Sequence, residues 1–428
     1  MTPHGRATRR TVLRLAATAT TAATVAACSH QPLPTQVAVV WSSDELQRFR
    51  EVLDGYDRQV QVISAGDDID AFLRARHLAG TSPDVAILPR PGLVTEYAQR
   101  GWLTELDDAL ATRFPVNLGD LLRVQGRLYG VWVKAAHKSL LWHLPSLVPQ
   151  PLRTWDELVS RTHELAAEAN GAERPAPLSI GAADGWVLTD WFENVLAAVT
   201  REEDGTYEAL ARGWADWQSK PVRDALDLLA GLWSIDGAFP GGGRRALLTQ
   251  HEESVIQVVA RRRAAMVFGA DFVDAVAERF GRGREQLEWS RFPTVRGGAG
   301  PLVVGGDAAV VLGGSARGAD LVRWLTGERS FQPWLDAGGY LSPNLTVPPD
   351  RYQDTLRGQL AAEIRSAGVL RFDLSDRLPG VFTGSDGMGI WRIMQDFFAD
   401  VTHGRVPGAV DRATRQLALA ARQAAGRP

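Results

Sequence analysis

Between residues 36 and 105, short apolar runs alternate with segments whose apolar positions recur at helical spacing. Residues 36–40 form a nearly continuous apolar run and predict a buried strand. Ser42 or Ser43 then offers a helix cap, Glu45 falls in the first turn, and Leu46, Phe49 and Leu53 share one face. Val60, Val62 and Ile63 mark a second strand, and Asp67 or Asp68 caps a helix carrying Ile69, Phe72 and Leu73. Residues 84–88 predict a third strand, ended by Pro89, Pro91 and Gly92. The next helix, through Val94 and Tyr97, stops at Gly101. Strands alternating with helices predict an α/β fold of mainly parallel sheets covered by helices on both faces.

The pattern continues with a strand over 128–133 leading through Lys134. Thr154 and Glu157 then form a capping box ahead of a helix that carries Leu158, Thr162, Leu165 and Ala166 on one side. Pro221 opens another helix, and Gly241-Gly242-Gly243 reads as a flexible loop. Residues 264–268 are an apolar strand leading to Gly269-Ala270-Asp271. Residues 302–312 are strand-like but contain Gly305-Gly306-Asp307, which predicts a bend or a close backbone approach. The chain closes with helices through Trp391, Met394, Phe397 and Phe398, then Val410, Leu417 and Ala420.

The first residues follow a different pattern. Arg6, Arg9, Arg10 and Arg14 precede or open an Ala- and Thr-rich stretch, 15–27, too short and too weakly apolar for a stable membrane span. Residues 8–14 resemble a twin-arginine export signal. Val25-Ala26-Ala27-Cys28 resembles a lipobox, in which the cysteine is lipidated and becomes the new N-terminus. Cys28 is the only cysteine, so no intramolecular disulfide forms. Acyl chains on Cys28 would anchor the protein to the outer face of the membrane. The alternative is an ordinary charged leader and an incidental cysteine.

A chain of 428 residues suggests more than one lobe. The net charge of −3 with mixed signs gives no electrostatic case for nucleic acid. The 14 tryptophans outnumber the 6 tyrosines, and flat apolar rings with one N–H suit the C–H faces and hydroxyl edges of sugars. The histidines have no metal-ligand spacing, and His251-Glu252-Glu253 lacks the second histidine of a zinc motif. With no nucleophile elbow or phosphate loop either, the expectation is a non-enzyme without cofactor or metal. An exported glycoside hydrolase needs only two carboxylates and stays as an alternative, as does a receptor for a non-sugar solute.

Several ordered pieces resemble extracellular solute-binding proteins of the maltose-binding type, the receptors of carbohydrate ABC importers. They are Trp41-Ser42, Ser82-Pro83-Asp84-Val85-Ala86, Pro89-Arg90-Pro91-Gly92, Gly101-Trp102-Leu103-Thr104-Glu105, Leu128-Tyr129-Gly130, Thr154-Trp155-Asp156-Glu157, Arg263-Ala264-Ala265-Met266, Gly305-Gly306-Asp307 and Leu341-Ser342-Pro343-Asn344. Residues 185–191 and 370–376 are similar to a subgroup associated with α-glucosides, although Val187 and Arg90 stand where that subgroup usually has proline and glutamine. The resemblance implies a two-lobed periplasmic-binding-protein-like fold (class II) with a hinge, one lobe of 37–133 and 301–345 and the other of 134–300 and 346–428. It also implies a monomer that takes a carbohydrate between the lobes and delivers it to membrane permease subunits.

Candidate contacts follow from strand ends and side-chain chemistry, because ligands of open α/β sheets bind beyond the carboxyl ends of strands. Trp41 and Glu45 follow the first strand, and Arg90 the third. Trp186 and Trp191 flank Asp190, either as a stacking platform beside an acceptor or as two core rings and a helix cap. Lys134 lies at the expected lobe crossing. Gly305, Gly306 and Asp307 are expected to bring backbone N–H groups and a carboxylate to the ligand, and Asp271 and Asp376 complete the set.

Overall fold

The computed structural model describes residues 33–426 except 170–173, 201–204, 282, 284–285, 299, 354, 368–369 and 384–388. The leader 1–28, with Arg9, Arg10 and Cys28, lies outside the described residues. The three early apolar runs form β1 (Thr35–Val39), β2 (Val60–Ser64) and β3 (Val85–Leu88). A small antiparallel pair follows, β4 (Arg123–Val124) and β5 (Arg127–Leu128). The remaining strands are β6 (Val131–His137), β7 (Leu140–His143), β8 (Ala176–Ser179), β9 (Ala264–Phe268), β10 (Glu288–Arg291), β11 (Val303–Val311) and β12 (Arg371–Phe372).

The first sheet has the order β12-β11-β3-β1-β2, with β6 also paired to β11. The second has the order β10-β7-β9-β8. Both are α/β layers, but the sheets are mixed rather than mainly parallel. β1 is parallel to β2 and β3, whereas β11 is antiparallel to β3 and β6. In the second sheet only β8 and β9 are parallel. The reason is where the chain enters. Parallel neighbours need a long crossover. β11 instead arrives from the second sheet at the edge where β1 and β3 end, so it runs against β3.

The passage between sheets is short. β6 ends in the first sheet at His137 and β7 begins in the second at Leu140, leaving only Lys138 and Ser139 between them. The crossings are stitched together. Lys138 N donates to Val303 O at 2.9 Å, Val303 N to Ser139 Oγ at 2.8 Å, Phe292 N to Ser139 O at 2.8 Å, and Asp373 N to Val304 O at 2.8 Å. β12 pairs with β11, and Leu360 and Ile364 join the apolar cluster of the first sheet.

Alternation along the strands divides the core. Leu140, Trp142 and Val267 face one apolar cluster, shared with the first sheet. Leu141, Met266 and Phe268 face the other, packed by the helices Gly185–Val199, Lys220–Trp233, Ile390–Thr402 and Ala409–Ala425. Each such buried side chain contributes about 1.5–3 kcal/mol.

The capping box forms as its sequence predicts: Glu157 N donates to Thr154 Oγ1 at 3.2 Å, and Thr154 N to Glu157 Oε2 at 3.1 Å. Gly241-Gly242-Gly243 is not a free loop. It opens the short helix Gly242–Ala246, and Gly243 lies so close to Thr402 that a Cβ would clash.

Candidate functional site

β11 and β6 bring the first group together. A bulge between Asp307 and Ala308 leaves Val133 unmatched and sets Asp307 opposite Lys134. Directly opposed residues put their side chains on one face of the sheet. Trp41, two residues beyond β1, donates Nε1–H to Asp307 Oδ2 at 3.0 Å. Its ring meets Phe49 and Trp334 edge-on at 4.9 and 5.1 Å. Glu45, in the first turn of the helix Ser43–Leu53, accepts a hydrogen bond from Lys134 Nζ. That ammonium also lies 5.5 Å from the Trp334 ring and 5.9 Å from the Phe272 ring. Burial opposes the Lys134 charge, but Glu45, Asp307 and Asp271 outweigh it and raise its pKa. Burial pushes the Asp307 carboxyl up to about 6, against the pull of Lys134.

A second group surrounds Lys138, at the crossing itself. Its Nζ donates to Asp373 and, at 3.2 Å, to Asp190 Oδ1, and lies 3.7 Å from Asp376 Oδ2. The helix Gly185–Val199 is buried almost all round, and Asp190, Glu193 and Asn194 are among its buried residues. Spacings of three and four put these on one face. Glu193 accepts from Leu374 N at 2.7 Å and Ser375 N at 2.9 Å, and Asn194 Nδ2 donates to Lys138 O at 3.0 Å. Asp373 also accepts from Ser375 Oγ and Asp376 N. Burial drives the Asp190 pKa well up, and Lys138 only partly offsets it. Burial opposes the Asp373 charge too, but Lys138 outweighs it and holds that pKa down. Burial, then the Asp373 charge, lifts Asp376 to about 7. Oxygens of Asp190, Glu193 and Asp373 come within 4.8 Å of one another. Lys138 and backbone N–H groups already serve them, so a cation would have to displace the ammonium.

Of the other candidates, Arg90 acts on Asp376 and Asp271 on Lys134, and Trp191 stands apart. Arg90 precedes the helix Pro91–Gln99, is buried, donates Nη1–H to Thr383 Oγ1 at 2.9 Å and lies 5.6 Å from the Trp391 ring. Asp271 follows β9; its Oδ1 accepts His137 N at 2.7 Å. Trp186 is half-buried against His251, ring centres 5.0 Å apart. Asp190 lies mid-helix, and Asp184 takes the N-cap position. Trp191 is in the core: its ring meets Phe268, Phe292 and Trp233, and the structure does not bring it to the others. Gly305 and Gly306 are ladder residues opposite Ala136 and Ala135. A Cβ on Gly305 would sit 2.8 Å from Lys138 Cε, and one on Gly306 2.6 Å from Lys134 O. Their lack of side chains thus makes room for the two lysine segments.

Sequence reasoning missed Lys138, Asp373, Glu193 and Thr383. One signal was available. The chain has three lysines, and two, Lys134 and Lys138, stand four apart at the sheet crossing.

Comparison with known proteins matches the arrangement. Residues 43–330 fit the family described as bacterial extracellular solute-binding protein. The osmoprotective compounds-binding protein GgtB of Synechocystis is 25% identical over 394 residues, 87% of this chain and 90% of that protein. The alpha-glucosides-binding periplasmic protein AglE of Rhizobium meliloti is 25% identical over 361 residues, 78% of this chain and 76% of that one. The maltose/maltodextrin-binding domain MalE of Bdellovibrio bacteriovorus, bound to maltotriose, shares the fold with a TM-score of 0.70 at 16% identity, covering 91% of this chain and 99% of that one. With two mixed sheets joined by short crossings, and its match to the family spanning 43–330, the chain belongs to the bacterial extracellular solute-binding proteins, which are receptors rather than enzymes.

Proposed function

We propose that this protein is the sugar receptor of an ABC importer, binding an α-glucoside or a related oligosaccharide between two lobes and passing it to the permease. The observation that carries this reading is the line of polar groups at the sheet crossing. Asp307, Asp376 and Asp271 supply acceptors, Arg90 and Lys134 supply donors, Trp186 supplies a flat ring, and Trp41 holds Asp307 in place. A neutral sugar takes its affinity from that combination. Stacking contacts and single hydrogen bonds are each worth about 1 kcal/mol net, and micromolar binding needs about −8 kcal/mol. The names of AglE and of the maltotriose-bound MalE support the sugar class.

The lobes centre on the two sheets, near the division 37–133 with 301–345 against 134–300 with 346–428, with β6 and β12 staying on the first sheet. The stitched crossings at Lys138–Ser139, 292–302 and Asp373 act as the hinge. The receptor works as a monomer held to the outer face of the membrane by lipid on Cys28, after export through the twin-arginine signal.

Calorimetry with maltose, trehalose, sucrose and maltotriose tests the sugar class. One-to-one binding of an α-glucoside is expected, and silence across the four refutes it. Cys28→Ser should release the protein from membranes into the soluble fraction, and continued detergent-dependent association would count against the anchor.

A further inference from the structure

β8 and β9 are parallel neighbours, and their carboxyl ends lead into Gly181–Asp184 and Gly269–Asp271. His251 is seated between these two turns. It opens the helix His251–Val259, and its main-chain N–H donates to Asp184 Oδ2 at 2.6 Å. Both turns are glycine where they touch it. A Cβ on Gly181 would lie 2.6 Å from His251 Cα, and one on Gly269 would lie 3.1 Å from its Cε1. The fold therefore makes room for this imidazole at the strand ends, where open α/β sheets take their ligands.

The ring itself packs against two aromatic side chains. It lies 5.0 Å from Trp186 and 5.2 Å from Phe272, which are themselves 6.1 Å apart. His251 is 8% exposed, and among the described residues neither ring nitrogen has a hydrogen-bond partner. Burial, then the Lys138 charge, lowers its pKa to about 4, so the ring is neutral and offers one donor and one acceptor. Leaving such a group unpaired costs about 1–3 kcal/mol. Among the described residues one more unpaired atom lies in this corner, Asp271 Oδ2 on the turn beyond Gly269.

We infer that His251 is a direct contact of the bound solute, reading a pair of sugar hydroxyls with its two ring nitrogens while Trp186 and Phe272 flank the sugar ring. The inference rests on the sugar-receptor reading of the cleft and adds to it the residue that selects hydroxyl positions. A polyol supplies both the acceptor and the donor that a neutral imidazole lacks here.

The test uses the purified protein, with maltose, trehalose and sucrose as probes. His251→Phe keeps an aromatic ring but removes both nitrogens. It should weaken the best-bound probe about tenfold, leave Tm unchanged or raised, and be partly rescued by His251→Gln. In wild-type protein labelled with 15N-histidine, saturating probe should shift the ring nitrogens of His251, identified by their loss in His251→Gln. A Kd for His251→Phe within twofold of wild type, or ring nitrogens that do not move at saturation, overturns this inference alone. Wild-type silence towards these three and maltotriose overturns the sugar reading and this inference with it.

Discussion

On the first-sheet side of the crossing, Lys134 hydrogen-bonds Glu45, whose side chain is 40% exposed. Four residues on, Lys138 faces three carboxylates, and the two it hydrogen-bonds are 2% and 0% exposed. The side chains are of the same types, but their settings differ. Lys134 and Asp307 project from paired strands, and on the proposed function they exchange partners for a solute. Around Lys138, Glu193 and Asp373 accept the backbone N–H groups of Leu374, Ser375 and Asp376, and Asn194 donates to the Lys138 carbonyl, so this group fastens the crossing.

The largest effect that separates the two sides is on stability. Lys138→Met strips the counter-charge from buried Asp373, and urea unfolding should show a loss of about 3–5 kcal/mol. A loss below about 1 kcal/mol would make the network incidental. Asp307→Asn should do the reverse, weakening sugar binding about tenfold while Tm stays within a few degrees, because Asn still accepts the Trp41 N–H.

The two tryptophans sharpen the comparison. Trp186→Ala should raise Kd with little change in unfolding. Trp191→Phe should cost about 1–3 kcal/mol in the core and leave Kd unmoved. Equal effects on Kd would erase the distinction drawn between them.

The smallest expected effect is on pH dependence. Asp307 and Asp376 hold protons up to about 6 and about 7, above the ordinary carboxyl range. An ionised carboxylate is the better acceptor for sugar hydroxyls, so proton and sugar compete for these groups. Affinity should be full above about pH 8 and fall as the pH drops through 7 to 5. The double variant Asp307→Asn, Asp376→Asn should give a flat profile, and a wild-type profile that is already flat would remove both groups from the site.

Local pattern carried much of this into the sequence. β1, β3 and β9 lie where apolar runs predict them, and Thr154 and Glu157 cap as their spacing requires. Trp41, Glu45, Lys134 and Asp307 were legible because strand ends and a glycine-broken strand mark them. Trp191 was misgrouped for a geometric reason. Residues five apart on a helix point about 140° away from each other, so Trp186 and Asp190 share a face and Trp191 does not. Lys138 with Asp373, and His251 with Gly181 and Gly269, come from distant segments and carry no periodic signal. Only the topology that joins the two sheets places them side by side.

The most direct test of the central claim is a calorimetric titration of residues 29–428, wild type and Asp307→Asn, with maltose, trehalose, sucrose and maltotriose. The account predicts one-to-one binding of at least one of these by wild type and about tenfold weaker binding by the variant. Silence of the wild type towards all four, or a variant that binds as tightly as wild type, would contradict it.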